Sequence, residues 1–224
     1  MMRFVKMSGA GNDFVVLGPE SIARLPQPVE PWVRRLCRRG LSVGADGLLL
    51  VEPGSADGRV KVTFHNPDGS SAFCGNGSRC AARFAAREGL AGSGMVLESC
   101  AGPVAAEVDG ERVALRLPLP VDHGTSALEI GERRLELHHV EAGTGHAISW
   151  VEEPARAPLE LWGPAVRSHP RFAPVGVNFN LASLEGRRLR LRTWEKGVER
   201  ETLACGSGAI AAAFAARSRG AGET

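Results

Sequence analysis

Two of the five cysteines stand in settings that could do chemistry. Cys74 opens Cys-Gly-Asn-Gly-Ser-Arg-Cys at 74–80, ahead of an Ala- and Arg-rich run, and Cys205 opens Cys-Gly-Ser-Gly at 205–208, ahead of Ala-Ile-Ala-Ala-Ala-Phe. Each reads as a cysteine on a Gly-x-Gly turn at the start of a helix, and they lie 131 residues apart in a chain of 224. A thiol at a helix N-terminus meets unpaired backbone N–H groups and the positive end of the helix dipole, and both favour the thiolate. The glycines let a ligand approach the backbone closely, because no Cβ intervenes. The same N–H groups can hold a carboxylate. Two such units suit inversion of a carbon that bears a weakly acidic proton. One thiolate removes the proton from one face, the other thiol delivers a proton to the opposite face, and the N–H groups stabilise the developing charge. Taken singly, either cysteine is most simply a small residue in a tight turn; the matched repeat argues for catalysis.

These cysteines need elements to place them. Residues 3–7 and 14–17 read as short strands around a loop at 8–13, Ser-Gly-Ala-Gly-Asn-Asp, with free backbone N–H groups. A helix is expected over 30–39, stopped by Gly40, with Cys37 in its core face and Arg34, Arg35, Arg38 and Arg39 as a solvated face. Strands follow at 48–51 and 60–64, the second running into the turn Asn66-Pro67-Asp68-Gly69. After the Cys74 helix, which buries Cys80, residues 95–99, 104–108 and 113–117 alternate like antiparallel strands, with Cys100 a structural residue at a strand end. Pro118-Leu119-Pro120 marks the domain boundary, giving residues 1–118 with Cys74 and 119–224 with Cys205. The pattern then restarts, with strands at 134–140, 147–152, 176–184 and 187–194 and a helix near 159–168, before the second cysteine and its helix. Both halves therefore read as several antiparallel strands plus one principal helix, an α+β unit built twice.

Composition narrows the classes. A net charge of +2 gives no general argument for nucleic acid. The N-terminus has no apolar signal region, and the longest apolar helical run, near 209–216, is too short to span a bilayer. An odd, irregularly spaced set of cysteines is a poor disulfide framework, so a reducing cytoplasm is the expected location. A Cys-x-x-Cys redox pair is missing, His138, His139 and His146 have no close cysteine to make a zinc site, and neither a P-loop nor a dinucleotide fingerprint is present. No metal and no cofactor is expected. Amide residues are scarce, with five Asn and one Gln; Asn12, Asn66, Asn76, Asn178 and Asn180 all sit in short motifs, as if placed.

The motifs together resemble the diaminopimelate epimerase family over nearly the whole chain. They are KMSGAGNDF at 6–14, GADG at 44–47, NPDGS at 66–70, CGNGSRC at 74–80, GVNF at 176–179 and WEKGVERETLACGSGA at 194–209. The resemblance implies two pseudo-symmetric domains, each a mostly antiparallel sheet rolled around a central helix, an active site in the interdomain cleft, a homodimer, and a small amino-acid substrate handled without pyridoxal phosphate. It implies Cys74 and Cys205 as the acid/base pair. Asn12, Asn76 and the N–H groups of Gly75, Gly206 and Ser207 would hold the reacting amino-acid end. Asn66, Asn178 and Glu195 would hold the distal end, and His146 and Glu195 match positions that tune the cysteines. The chain departs from the family in two places. Lys196 stands where Glu-Arg-Gly is usual, replacing a bidentate guanidinium with a point charge. Thr144-Gly145 replaces the Asn-Pro ahead of His146. Racemisation of another amino acid, such as histidine, and a non-catalytic small-molecule-binding relative are the alternative readings.

Overall fold

The computed structural model describes residues 2–186 and 188–219 and forms two compact units, Met1–Leu117 and Pro118–Thr224. In the first, β1 (Val5–Gly9) and β2 (Asn12–Leu17) make a hairpin closed by Ala10 and Gly11, whose φ angles of 52° and 93° are those a tight two-residue hairpin loop requires. The loop expected over 8–13 is therefore only these two residues, because Ser8 pairs with Asp13 and Gly9 with Asn12. After α1 (Pro19–Ile22) and α2 (Glu30–Leu36), β3 (Gly47–Pro53) lies parallel to β2. Antiparallel to β3 comes β4 (Arg59–His65), and the short β5 (Ser71–Ala72) pairs with its end. Helix α3 (Gly75–Arg87) follows, then β6 (Gly94–Ser99) parallel to β4, and the antiparallel β7 (Gly102–Asp109) and β8 (Arg112–Arg116).

Side-chain alternation explains the apolar runs in β2 and β3. Phe14, Val16, Leu49 and Val51 pack on one face with Ala81, Ala82 and Ala85 of α3. Val15, Leu17, Leu48 and Leu50 pack on the other with Val33 and Leu36 of α2. A strand buried on both faces carries no polar alternation. Asn12 is in step with Phe14 and Val16, so it falls on the α3 face.

The second unit repeats this plan after one added strand: β9 (Val121–Ile130) pairs with β10 (Arg133–Glu141), which forms a hairpin with β11 (Gly145–Trp150). Helix α4 (Leu159–Arg167) and a 3-10 turn at Pro170–Phe172 lead to β12 (Asn178–Glu185), parallel to β11. Then come β13 (Arg188–Glu195), the short β14 (Arg200–Glu201) and α5 (Gly206–Arg217). Hairpin, helix, parallel strand, antiparallel strand, short strand and cysteine-capped helix recur in the same order in both units, an α+β fold built twice on mostly antiparallel sheets. Ala147, Phe179 and Leu181 pack towards α4, while Ile148 and Ala182 pack with Ala211, Ala212 and Ala215 of α5. The same alternation puts His146, Asn178 and Asn180 on the α5 face.

β9 has no counterpart among the expected strands. Of its ten residues only Leu128 is buried, so it shows no apolar alternation and is held by backbone pairing with β10. No helix among the described residues is long and apolar enough to cross a membrane.

Candidate active site

Cys74 is the N-cap of α3. Its backbone is extended (φ −135°, ψ 111°), its carbonyl accepts the first helical bond from Ser78 N–H at 2.8 Å, and its sulfur accepts the Gly77 N–H at 3.4 Å. A thiol thus occupies the place where a Ser or Asp oxygen commonly caps a helix. A Cβ on Gly77 would come within 3.1 Å of Leu49 Cδ2, whereas one on Gly75 would enter open space. Gly77 is tightly packed against Leu49; Gly75 leaves room that the protein itself does not use.

The β1–β2 hairpin presses against this helix end: a Cβ on Gly9 would stand 2.8 Å from the Asn76 carbonyl oxygen. That closeness lets Asn76 Nδ2 donate to Asn12 Oδ1 at 2.6 Å, while Asn12 Nδ2 donates to Asp46 Oδ2 at 3.1 Å and Arg79 donates to Asn76 Oδ1. Behind Asn12, Arg39 bridges Asp13 and Asp46 (2.8 Å to Asp46), and Lys6 pairs with Asp13 at 2.8 Å. Arg39 was expected on a solvated helix face; it lies just past α2, where it neutralises the two carboxylates under the hairpin. Burial pushes the Asp13 carboxyl up, but hydrogen bonds and charge from Arg39 and Lys6 outweigh it and hold Asp13 well below the usual carboxylate range. Asn66 is buried in its own turn, where its N–H donates to Ser70 O at 2.8 Å and Nδ2 donates to Ser70 Oγ at 3.0 Å.

Cys205 is the N-cap of α5, again in extended conformation (φ −122°, ψ 103°). Its sulfur stands 3.5 Å from Ser207 Oγ, and Ser207 Oγ is 3.0 Å from His146 Nε2. His146 Nδ1 is 3.1 Å from Asn180 Nδ2, and Thr193, paired with Asn180 across β12 and β13, donates its hydroxyl to Asn180 Oδ1 at 2.9 Å. A Cβ on Gly208 would lie 2.6 Å from Asn180 Oδ1, so only glycine lets the helix end sit this close to β12. His146 has no exposed surface; burial, reinforced by the charge of Lys196 and by His139, pushes its pKa down to about 3. The imidazole is neutral across the physiological range.

The remaining candidate residues cluster around the end of β13 and the start of β12. Asn178 Oδ1 accepts the Lys196 backbone N–H at 2.8 Å, Thr202 donates its hydroxyl to Glu195 Oε1 at 2.6 Å, and Lys196 Nζ donates to Thr144 Oγ1 at 3.5 Å. Arg200 lies directly opposite Glu195 in the β13–β14 register. The two departures from the family pattern, at 144 and 196, are therefore in contact.

Within the first unit the structure brings Asn12 and Asn76 together beside Cys74's helix end; within the second it brings His146 and Ser207 to Cys205. Sequence reasoning did not single out Asp46, Asn180 or Thr193 as site residues. Asp46 was visible only as part of GADG, and Asn180 as a scarce amide two residues past Asn178, hence on the same strand face. Of the other cysteines, burial pushes the Cys37 and Cys80 thiols up to about 11, and Cys100 is exposed on the turn between β6 and β7.

The sequence profile of diaminopimelate epimerases matches residues 4–123. The diaminopimelate epimerase of Hydrogenobaculum is 38% identical over 94% of this chain and 80% of its own length, and that of Aquifex aeolicus is 36% identical over 98% and 82%. Among solved structures, a probable proline racemase from Agrobacterium radiobacter superposes with a TM-score of 0.79 at 18% identity, covering 100% of this chain and 79% of that one. A hydroxyproline epimerase from Agrobacterium vitis gives 0.74 at 17%, covering 98% and 78%. At those identities the likeness is one of fold.

Proposed function

The chain belongs to the diaminopimelate epimerase family, and from that premise we propose that it interconverts LL- and meso-2,6-diaminopimelate by a cofactor-independent exchange of protons between two cysteines. The observation that carries this reading is the recurrence, in both units, of a cysteine capping a helix whose second residue is hydrogen-bonded to a neighbouring strand: Asn76 with Asn12, Ser207 with His146.

In the proposed reaction one sulfur, as thiolate, takes the α-proton and becomes a thiol. The electron pair left on carbon delocalises into the substrate carboxylate, where helix N–H groups such as those of Gly75, Gly206 and Ser207 stabilise the added charge. The other cysteine, as thiol, delivers its proton to the opposite face and becomes the thiolate. The product leaves the two sulfurs with exchanged protonation, so the reverse reaction starts from that state. This requires the two sulfurs to address opposite faces of one carbon. Asn12 and Asn76 hold the reacting amino-acid end, Asn66, Asn178, Glu195 and Lys196 the distal end, and His146 and Glu195 tune the cysteines. We read the protein as a cytoplasmic homodimer supplying lysine and peptidoglycan precursors.

A second reading, a racemase of another amino acid, draws on the contact between Lys196 and Thr144, the two positions that depart from the family pattern. Incubation of the protein with LL-diaminopimelate and with a panel of single L-amino acids, followed by chiral separation, decides between them. The first reading predicts meso product from diaminopimelate and no inversion across the panel. Inversion of a panel member without diaminopimelate turnover assigns the protein to the second.

A further inference from the structure

We propose that Asn180, clamped by Thr193, fixes the orientation and tautomer of His146 so that the Ser207 hydroxyl is held as a hydrogen-bond donor to the Cys205 sulfur. The inference deepens the epimerase reading and rests on it for its catalytic consequence. All four side chains and the sulfur lie in the second unit.

The direction of each bond follows from the groups at the far end. Asn180 Nδ2 faces the backbone carbonyl oxygens of Ala147 and Asn178, each at 3.4 Å, and carbonyls only accept. Asn180 Oδ1 takes the Thr193 hydroxyl at 2.9 Å. Turning the amide over would set its oxygen against two carbonyl oxygens, neither of which can donate. The amide therefore presents N–H to His146 Nδ1 at 3.1 Å, and Nδ1 must carry the lone pair. Burial keeps the imidazole neutral, with the charges of Lys196 and His139 acting in the same sense. A neutral ring with a bare Nδ1 carries its hydrogen on Nε2, which donates to Ser207 Oγ at 3.0 Å. That bond uses a lone pair of the hydroxyl. Its own hydrogen is directed to the other partner, Cys205 Sγ at 3.5 Å.

A donor directed at sulfur stabilises the thiolate more than the thiol. The relay thus favours the Cys205 thiolate over its thiol. The first unit uses the equivalent position differently: Asn76 is tied to Asn12 and Arg79, and the Cys74 sulfur takes the Gly77 N–H. Thr193 and Asn180 act here as positioning residues, through His146 and Ser207.

The test reads the alkylation rate of Cys205 by iodoacetamide as a function of pH, peptide by peptide, with Cys74 of the same molecule as reference. Ser207→Ala is expected to slow Cys205 about tenfold near neutral pH and to move its profile to higher pH, with Cys74 unchanged. Ser207→Thr, which keeps the hydroxyl, restores most of the rate. Thr193→Val gives a smaller loss in the otherwise native protein and no further loss in the Ser207→Ala background. An unchanged Cys205 in Ser207→Ala, or an equal effect of Thr193→Val in both backgrounds, overturns the relay. The unmodified protein provides an independent reading: 15N NMR of the His146 ring should show the Nε2–H tautomer, and an Nδ1–H ring contradicts the proposal. Neither measurement needs substrate, so the relay can fail while epimerisation stands, and epimerisation can fail while the relay is intact.

Discussion

Asn76 donates to Asn12 at 2.6 Å, joining the second residue after a helix-capping cysteine to the first residue of a hairpin strand. Ser207 and His146 make the corresponding pair in the second unit at 3.0 Å. The hydrogen bond is kept between the halves while the residue types change from two amides to a hydroxyl and an imidazole. Two cysteines in matched backbone settings thereby have different neighbours.

The Asn12–Asn76 pair is buried at both ends, so removing either partner costs the other a buried hydrogen bond. Asn76→Ala is expected to destabilise the protein by about 1–3 kcal/mol in urea unfolding, and Asn12→Ala by a similar amount. The double variant should lose less than the sum, because the same bond is removed once. Full additivity would show that the two amides act independently.

His146 gives stability a definite pH dependence. Its pKa in the folded protein is about 3 against 6.5 in the unfolded chain. Below 6.5 the unfolded state binds a proton that the native state refuses until near 3. This contribution is present in full above 6.5 and is lost as pH falls, at about 1.4 kcal/mol per pH unit within that window. Urea titrations at intervals from pH 7 to pH 4 should show this slope, and His146→Gln should flatten it. An unaltered slope in the variant would place the proton uptake elsewhere.

The cysteines should separate into two classes. Cys37 and Cys80, buried with thiols pushed up to about 11, are expected to resist iodoacetamide near neutral pH until the protein is unfolded. Cys74 and Cys205 are partly exposed at helix N-termini and should react quickly. Peptide mapping of a time course distinguishes them, and rapid labelling of Cys37 or Cys80 would contradict the packing described.

Two glycines beside the cysteines should respond oppositely to alanine. Gly208→Ala would drive a Cβ to within 2.6 Å of the clamped Asn180 Oδ1 and is expected to cost about 1–3 kcal/mol of stability. Gly75→Ala meets open space, so the protein should fold with little change, and the proposed reading expects lost turnover because the methyl would occupy room it assigns to substrate. A Gly75→Ala enzyme with native turnover would remove Gly75 from the proposed carboxylate cradle.

Local patterns carried much of this into the sequence. The apolar runs of β2 and β3 and the Gly-x-Gly helix starts are properties of short segments, and they were readable as such. β9 was not, because a strand exposed along most of its length leaves no apolar period. Arg39 looked like one more surface arginine, since its carboxylate partners Asp13 and Asp46 lie 26 and 7 residues away, outside its own helix. Asn180 and Thr193 meet only through the β12–β13 register, and His146 and Ser207 only through the packing of α5 on β11 and β12. Such links depend on tertiary placement that no local spacing encodes. The family motifs named the candidate site residues, and the structure adds hydrogen-bond partners for Asn12, Asn66, Asn76, His146, Asn178 and Ser207.

The central claim is that both cysteines transfer the α-proton. The most direct measurement is 1H NMR of LL-diaminopimelate in D2O with the native protein, Cys74→Ala and Cys205→Ala. The account predicts meso product with deuterium at the inverted α-carbon from the native protein, and no meso product from either variant. Sustained epimerisation by either single variant would contradict it.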